Sequence, residues 1–120
     1  MGQLEGKRAV IVGASQTGNI GQMIAQRYCE EGAQVVIASR DEAASASFAD
    51  SIGGFSTVCD LSNRDDVFAL AEFSVQQMGG LDIAVNSSGL ALGGPFLEFS
   101  EVDLDTLIDL QFKGSFFFLQ

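Results

Sequence analysis

Gly13, Gly18 and Gly21 lie close together in the stretch Arg8 to Gly21, which reads RAVIVGASQTGNIG. Glycines at this spacing let a main chain turn tightly and bring its amides near the oxygens of an anion. The flanking residues say where that would happen. Ala9 to Val12 form an apolar block without alternation, which suits a parallel strand buried on both faces. Helical spacing starts directly after the loop: Ile20, Met23, Ile24 and Tyr28 recur at three- and four-residue steps as far as Glu31, and Gly32 stands where a C-terminal cap belongs. The loop therefore joins a strand's carboxyl end to a helix's amino end. Backbone N–H groups at a helix start have no intrahelical partners and carry the positive end of the dipole, which makes such a loop a seat for a pyrophosphate. A strict G-x-G-x-x-G is absent, and a plain glycine-rich turn has the same composition, so the surrounding elements decide.

Those elements alternate. Val35 to Ala38 reads as a second strand ending at Ser39-Arg40-Asp41, and residues 42–52 as a short helix anchored by Phe48 and Ile52 and closed by Gly53-Gly54. Phe55 to Cys59 reads as a third strand with Asp60 at its end. Ser62 to Asp65 has the form of a capping box with Ser62 as the cap, and Val67, Leu70, Ala71, Ser74 and Val75 continue a helical face to Gly79-Gly80. Leu81 to Val85 reads as a fourth strand running into Asn86-Ser87-Ser88-Gly89. After a glycine-rich loop holding the sole proline, Pro95, a last helix opens with a second box at Ser100 and Asp103 and a hydrophobic staple of Phe99 and Leu104. Leu104, Leu107, Ile108, Phe112, Phe116 and Leu119 share one of its faces, whereas Leu110, Phe117 and Phe118 share another, which predicts burial on both sides. Four strand–helix pairs imply right-handed βαβ crossovers: an α/β, Rossmann-type parallel sheet with helices on both faces, cut off after the fourth strand and its helix. Ligands of such sheets sit beyond the carboxyl ends of the strands, where the glycine loop, Ser39-Arg40, Asp60 and Asn86 to Gly89 all fall.

Composition narrows the partners. The 120 residues suffice for one domain, and six basic against sixteen acidic side chains, with no histidine, give a formal charge of −10. That balance argues against nucleic acid and anionic membrane surfaces. Cys29 and Cys59 lack metal-ligand spacing and read as reduced thiols in a cytosol. The start MGQLEGKRAV has neither a signal-peptide core nor, with Gly6 at the sixth position, a myristoylation motif, and no segment reaches the roughly 18 apolar residues of a membrane span. A soluble cytoplasmic protein is expected.

In these features the sequence resembles the short-chain dehydrogenase/reductase family along essentially its whole length. Lys7 to Ser15 is similar to the family's first strand and loop, Asp60-Leu61 to its adenine contact, Asn86-Ser87-Ser88-Gly89 to its N-N-A-G segment, and Ile108 to Gln120 to its fourth long helix. Val12 replaces the usual threonine, and Gly13 to Gly21 is two residues longer than the family's G-x-x-x-G-x-G. Loops of that length occur in the branch that includes enoyl-acyl-carrier-protein reductases. The resemblance implies hydride transfer between nicotinamide and a carbonyl or alcohol of a small-molecule substrate, with Asp60 accepting from the adenine amino group, Leu61 beside its ring, Asn86 steadying the central strand and Ser87 to Gly89 under the ribose. The plainer alternative for Asp60 is a helix-entry aspartate that shields the N–H groups ahead of Ser62. A hydroxyl and a guanidinium at Ser39-Arg40, where an acid would bind a ribose 2′-hydroxyl, favour NADP(H), with NAD(H) as the alternative, and an ion pair between Asp41 and Arg40 would weaken that preference. The expected cofactor contacts are Gly13, Ser15, Gly18, Ile20, Gly21, Ser39, Arg40, Asp60, Leu61, Asn86, Ser87, Ser88 and Gly89.

The resemblance also implies a catalytic serine, tyrosine and lysine, and residues 1–120 hold no such set. Tyr28, the sole tyrosine, lacks a lysine four residues on, and Gln111 stands where the family has an asparagine. An amino-terminal, cofactor-binding portion of a reductase is therefore expected, with a non-catalytic dinucleotide-binding or interaction module as the alternative. The double-faced last helix resembles the one that packs between subunits in the family, which implies a homo-oligomer.

Overall fold

The structure, a computed structural model, describes residues 2–120. Its strands β1 (Arg8–Val12), β2 (Gln34–Ser39), β3 (Phe55–Val58) and β4 (Ile83–Asn86) form one parallel sheet in the order β3-β2-β1-β4. The chain steps outward from β1 to β3, then returns to place β4 on the other side of β1. The change of direction thus lies between the carboxyl ends of β1 and β4, which is where a parallel sheet opens a crevice.

Helices α1 (Ile20–Glu30) and α2 (Glu42–Ile52) cover one face, where Ala25 and Ala49 pack with Ala9, Ile11, Val35 and Ile37. Helix α3 (Arg64–Met78) covers the other, where Val67 and Leu70 meet Val10, Val12, Val36 and Ala38. Successive strand residues point to opposite faces, so two covered faces require the unalternating apolar blocks seen in β1 and β2.

Three local expectations shift. Asn63, not Ser62, caps α3: its side chain accepts from the Asp66 N–H at 3.1 Å, while the Ser62 hydroxyl donates to Asp60 Oδ1 at 2.7 Å. Both residues are competent caps, and the later one wins because Asp66 Oδ2 can then accept from the Asp60 N–H at 3.1 Å. The fourth strand pairs only from Ile83. Just before it, Asp82 donates its N–H to the Arg8 carbonyl at 2.8 Å while its carboxylate grips Arg8 at Nε (2.9 Å) and Nη2 (3.1 Å) and takes the Arg8 N–H at 2.9 Å, so there the acceptor for β1 is a side chain. The guanidinium holds the Asp82 carboxyl below its ordinary range.

The last helix departs most. Ser100 caps it as expected, accepting from the Asp103 N–H at 3.1 Å, but it runs as α4 (Glu101–Leu107), a π segment (Ile108–Lys113) and α5 (Gly114–Leu119). A π turn inserts a residue and rotates the helix beyond it. At the junction a Cβ on Gly114 would stand 3.0 Å from the Leu61 carbonyl oxygen, so α5 lies close against the segment after β3. Leu110, Phe117 and Phe118 pack on the α3 side of the core, whereas Leu104, Ile108, Phe112, Phe116 and Leu119 are exposed. Both apolar faces exist; one is covered. Among the described residues no helix is long and apolar enough to cross a membrane.

Candidate functional site

Three segments meet where β1 ends. Gly13 has φ +99°, in the left-handed region, and a Cβ there would stand 2.6 Å from the Ser88 nitrogen and 2.8 Å from the Ser87 carbonyl carbon. Only glycine tolerates both conditions. Ser87 is held against β1 twice, through its N–H at 2.9 Å and its hydroxyl at 2.6 Å, both donating to the Val12 carbonyl. A Cβ on Gly21 would stand 2.5 Å from Ser87 Oγ and 2.8 Å from the Gly13 oxygen, so the first turn of α1 closes on the same point. Gly18 has open space around it and φ +74°.

Beyond this junction lies a cavity of about 270 Å³. Of the residues named from the sequence, Gly13, Ser15, Ser39, Arg40, Leu61 and Ser87 to Gly89 line it. Asp60 lies in an adjoining recess of about 140 Å³ that shares Arg40 and Leu110 with the cavity. Gly18, Ile20, Gly21 and Asn86 are not on its wall. The Ile20 side chain is 69% exposed, and Gly21 packs beneath the loop. Asn86 shapes the segment after β4: Oδ1 accepts from the Ser88 N–H (3.0 Å) and hydroxyl (2.6 Å), while Nδ2 donates to Ser115 Oγ in α5 at 3.3 Å.

The lining side chains differ in what they have left to offer. The Ser39 hydroxyl is buried, shares a 2.6 Å hydrogen bond with Ser45 Oγ and accepts from the Asp41 N–H at 3.1 Å, so it fixes the turn after β2. Asp41 caps α2 by accepting from the Ala44 N–H at 3.0 Å. Arg40 is exposed and has no ion-pair partner among the described residues. Asp60 Oδ1 accepts from the Ser62 N–H (3.0 Å) and hydroxyl (2.7 Å), which is the helix-start role, and Oδ2 makes no hydrogen bond among the described residues. Burial, with Asp66 and Asp60 adding to it, pushes the Cys59 thiol up to about 11, so it serves the cavity as a neutral wall. The described residues contain no group of side chains that could hold a metal ion.

A family model described as enoyl-(acyl carrier protein) reductase matches residues 13–120. The chain belongs to the short-chain dehydrogenase/reductase family. It is similar to a short chain dehydrogenase from Mycobacterium smegmatis, with a TM-score of 0.92 and 29% identity over 98% of this chain and 50% of that one. A short-chain type dehydrogenase/reductase from Mycobacterium marinum gives a TM-score of 0.88 and 34% identity over 98% of this chain and 49% of the other. An uncharacterized oxidoreductase of Staphylococcus aureus (strain MW2) is 33% identical over 120 residues, 98% of this chain and 51% of its own. The chain spans about half the length of the curated relatives it matches.

Within this short-chain dehydrogenase/reductase chain, Tyr28 packs with the core on the α1 side and takes no part in the cavity. Gln111 lies in the π segment, its Oε1 3.9 Å from where a Gly89 Cβ would be, so the carboxamide faces the loop after β4. Gln16, Asn19 and Leu110 also line the cavity, beyond the contacts expected from the sequence. Asn19 carries a readable signal, a cap residue just ahead of the first helical position. Leu110 carries none, because its apolar spacing is that of any core residue.

Proposed function

We propose that the chain is the NADP(H)-binding portion of an oxidoreductase that transfers hydride between nicotinamide and a carbonyl or alcohol on a small-molecule substrate. One observation carries this reading: Arg40, an exposed guanidinium with no ion-pair partner among the described residues, stands where the cavity meets the recess of Asp60. A planar cation at that junction suits a ribose 2′-phosphate, and Asp41 is engaged in capping α2 and does not neutralise it. The remaining donors fit a dinucleotide as well. Gly13 keeps a backbone cradle free of Cβ, the α1 N-terminus suits a diphosphate, Asp60 Oδ2 is free to accept from an adenine amino group, and Leu61 offers an apolar wall. The nicotinamide, when bound, supplies or accepts the hydride. This chain's residues bind and orient it, and proton transfer to the substrate oxygen falls to residues outside these 120. The sole tyrosine, packed in the core on the α1 side at Tyr28, favours the other reading, a non-catalytic dinucleotide-binding or interaction module. Self-association through the outward face of the last helix and a cytoplasmic setting belong to the same proposal.

The test is titration with NADPH and NADH. The chain is expected to prefer NADPH, and Arg40→Ala to narrow the gap about ten- to a hundredfold, the equivalent of roughly 1.5–3 kcal/mol for a charge-assisted contact. Equal affinities in the unsubstituted chain would overturn the preference, and binding of neither would overturn the dinucleotide reading.

A further inference from the structure

A diphosphate is held only as well as the loop that aims its amides, and residues 13–19 are braced by two side chains at the start of α1. Gln22 is 9% exposed, which is unusual burial for a glutamine in the first turn of a helix facing a loop. Its Nε2 donates to the Ala14 carbonyl at 3.0 Å, and its Oε1 accepts from the Gly18 N–H at 3.0 Å. Asn19 completes the brace: Nδ2 donates to the Gly13 carbonyl at 2.7 Å, and Oδ1 accepts from the Gln22 N–H at 2.9 Å. One carboxamide therefore spans the loop from Ala14 to Gly18.

Gly18, which the spacing marks as a phosphate contact, has its N–H occupied by Gln22 and supplies only its left-handed turn. The N–H groups of Ser15, Gln16, Thr17, Ile20 and Gly21 have no protein acceptor among the described residues. Of these residues, Ser15 and Gln16 are on the cavity wall. We propose that Gln22 is a positioning residue of the diphosphate seat: by bridging Ala14 and Gly18 it holds the loop in one shape and leaves the amides between them for the ligand. This rests on the dinucleotide reading and adds the group that preorganises its loop, which lowers the ordering cost of binding.

Two substitutions in the full 120-residue chain separate the bonds. Gln22→Met keeps an unbranched side chain and removes both bonds, whereas Gln22→Glu keeps an acceptor for Gly18 and removes the donor to Ala14. The readouts are amide hydrogen exchange without ligand and affinity for two probes, ADP-ribose, which has a diphosphate but no 2′-phosphate, and adenosine 2′-monophosphate, which has the reverse. In Gln22→Met, Gly18 should exchange as fast as Thr17 while Val10 and Ile11 stay protected, and ADP-ribose affinity should fall about tenfold with adenosine 2′-monophosphate unchanged. Gln22→Glu should retain protection at Gly18. Unprotected Gly18 in the unsubstituted chain, its loss of protection in Gln22→Glu, unchanged ADP-ribose affinity in Gln22→Met, or a parallel fall for both probes would each overturn the assignment of Gln22 alone. Binding of neither probe by the unsubstituted chain would overturn the dinucleotide reading itself, and this inference with it.

Discussion

Cys59 shows how a reactive residue type is made inert by its surroundings. It is 2% exposed, lines the cavity, and has Asp60 and Asp66 near enough to oppose a thiolate. With its folded pKa at about 11 and an unfolded value near 9, both states are protonated below about pH 9, and there the thiol favours neither. As pH rises from 9 towards 11 only the unfolded chain ionises, so this part of the stability is lost across that window. Urea midpoints measured from pH 8 to 11 should fall in the unsubstituted chain and fall less in Cys59→Ala. At pH 8 the folded Cys59 should resist alkylation by iodoacetamide and react once denaturant is added, because the thiolate is the nucleophile. Rapid modification of folded Cys59 would remove the description of it as a wall.

The elements around the cavity depend on glycine for different reasons. Gly13→Ala combines a left-handed φ with overlap against the Ser87-Ser88 backbone, Gly21→Ala brings overlap against Ser87 Oγ and the Gly13 oxygen, and Gly18→Ala brings conformational strain alone. Overpacking costs about 1–3 kcal/mol and left-handed strain about 1–2 kcal/mol, so Gly13→Ala should be the most destabilising in urea titrations. Equal losses for Gly13→Ala and Gly18→Ala would remove the packing explanation. The spacing of these glycines is legible in the sequence, but the purpose of Gly21 is not. Its obstacle, Ser87, is a residue of a distant strand end, and no local pattern announces that contact. The parallel sheet, both covered faces and the convergence of Gly13, Arg40 and Ser87 to Gly89 are legible in the alternation of elements and their apolar blocks. What escapes is decided by pairs: Ser39 with Ser45, Gln22 with Gly18, and Asn63 over its neighbour Ser62. The π segment escapes too, because the apolar spacing on either side of it is helical and the inserted residue leaves no composition of its own.

For the molecule as a whole, the uncovered side of the last helix is the main unpartnered feature. Phe112 is 73% exposed, Phe116 58% and Leu119 84%, and large exposed apolar areas mark surfaces that meet something. If the chain self-associates there, the double substitution Phe112→Asp/Phe116→Asp should lower the mass seen by light scattering while the urea midpoint stays within about 0.5 kcal/mol of equivalent stability, as surface changes usually do. An unchanged mass would place any assembly elsewhere. The contact between Ser87 and the Val12 carbonyl, 75 residues apart in sequence, has a different kind of consequence. A ribosome adding about 5–20 residues each second delivers those two partners roughly 4–15 s apart. During that interval β1 and β2 can already pair, yet the edge of β1 that will receive β4 is bare and the glycine loop has no floor. The cradle thus takes shape only after β4 has been made, and a newborn molecule exposes a sticky strand edge before it can hold any ligand.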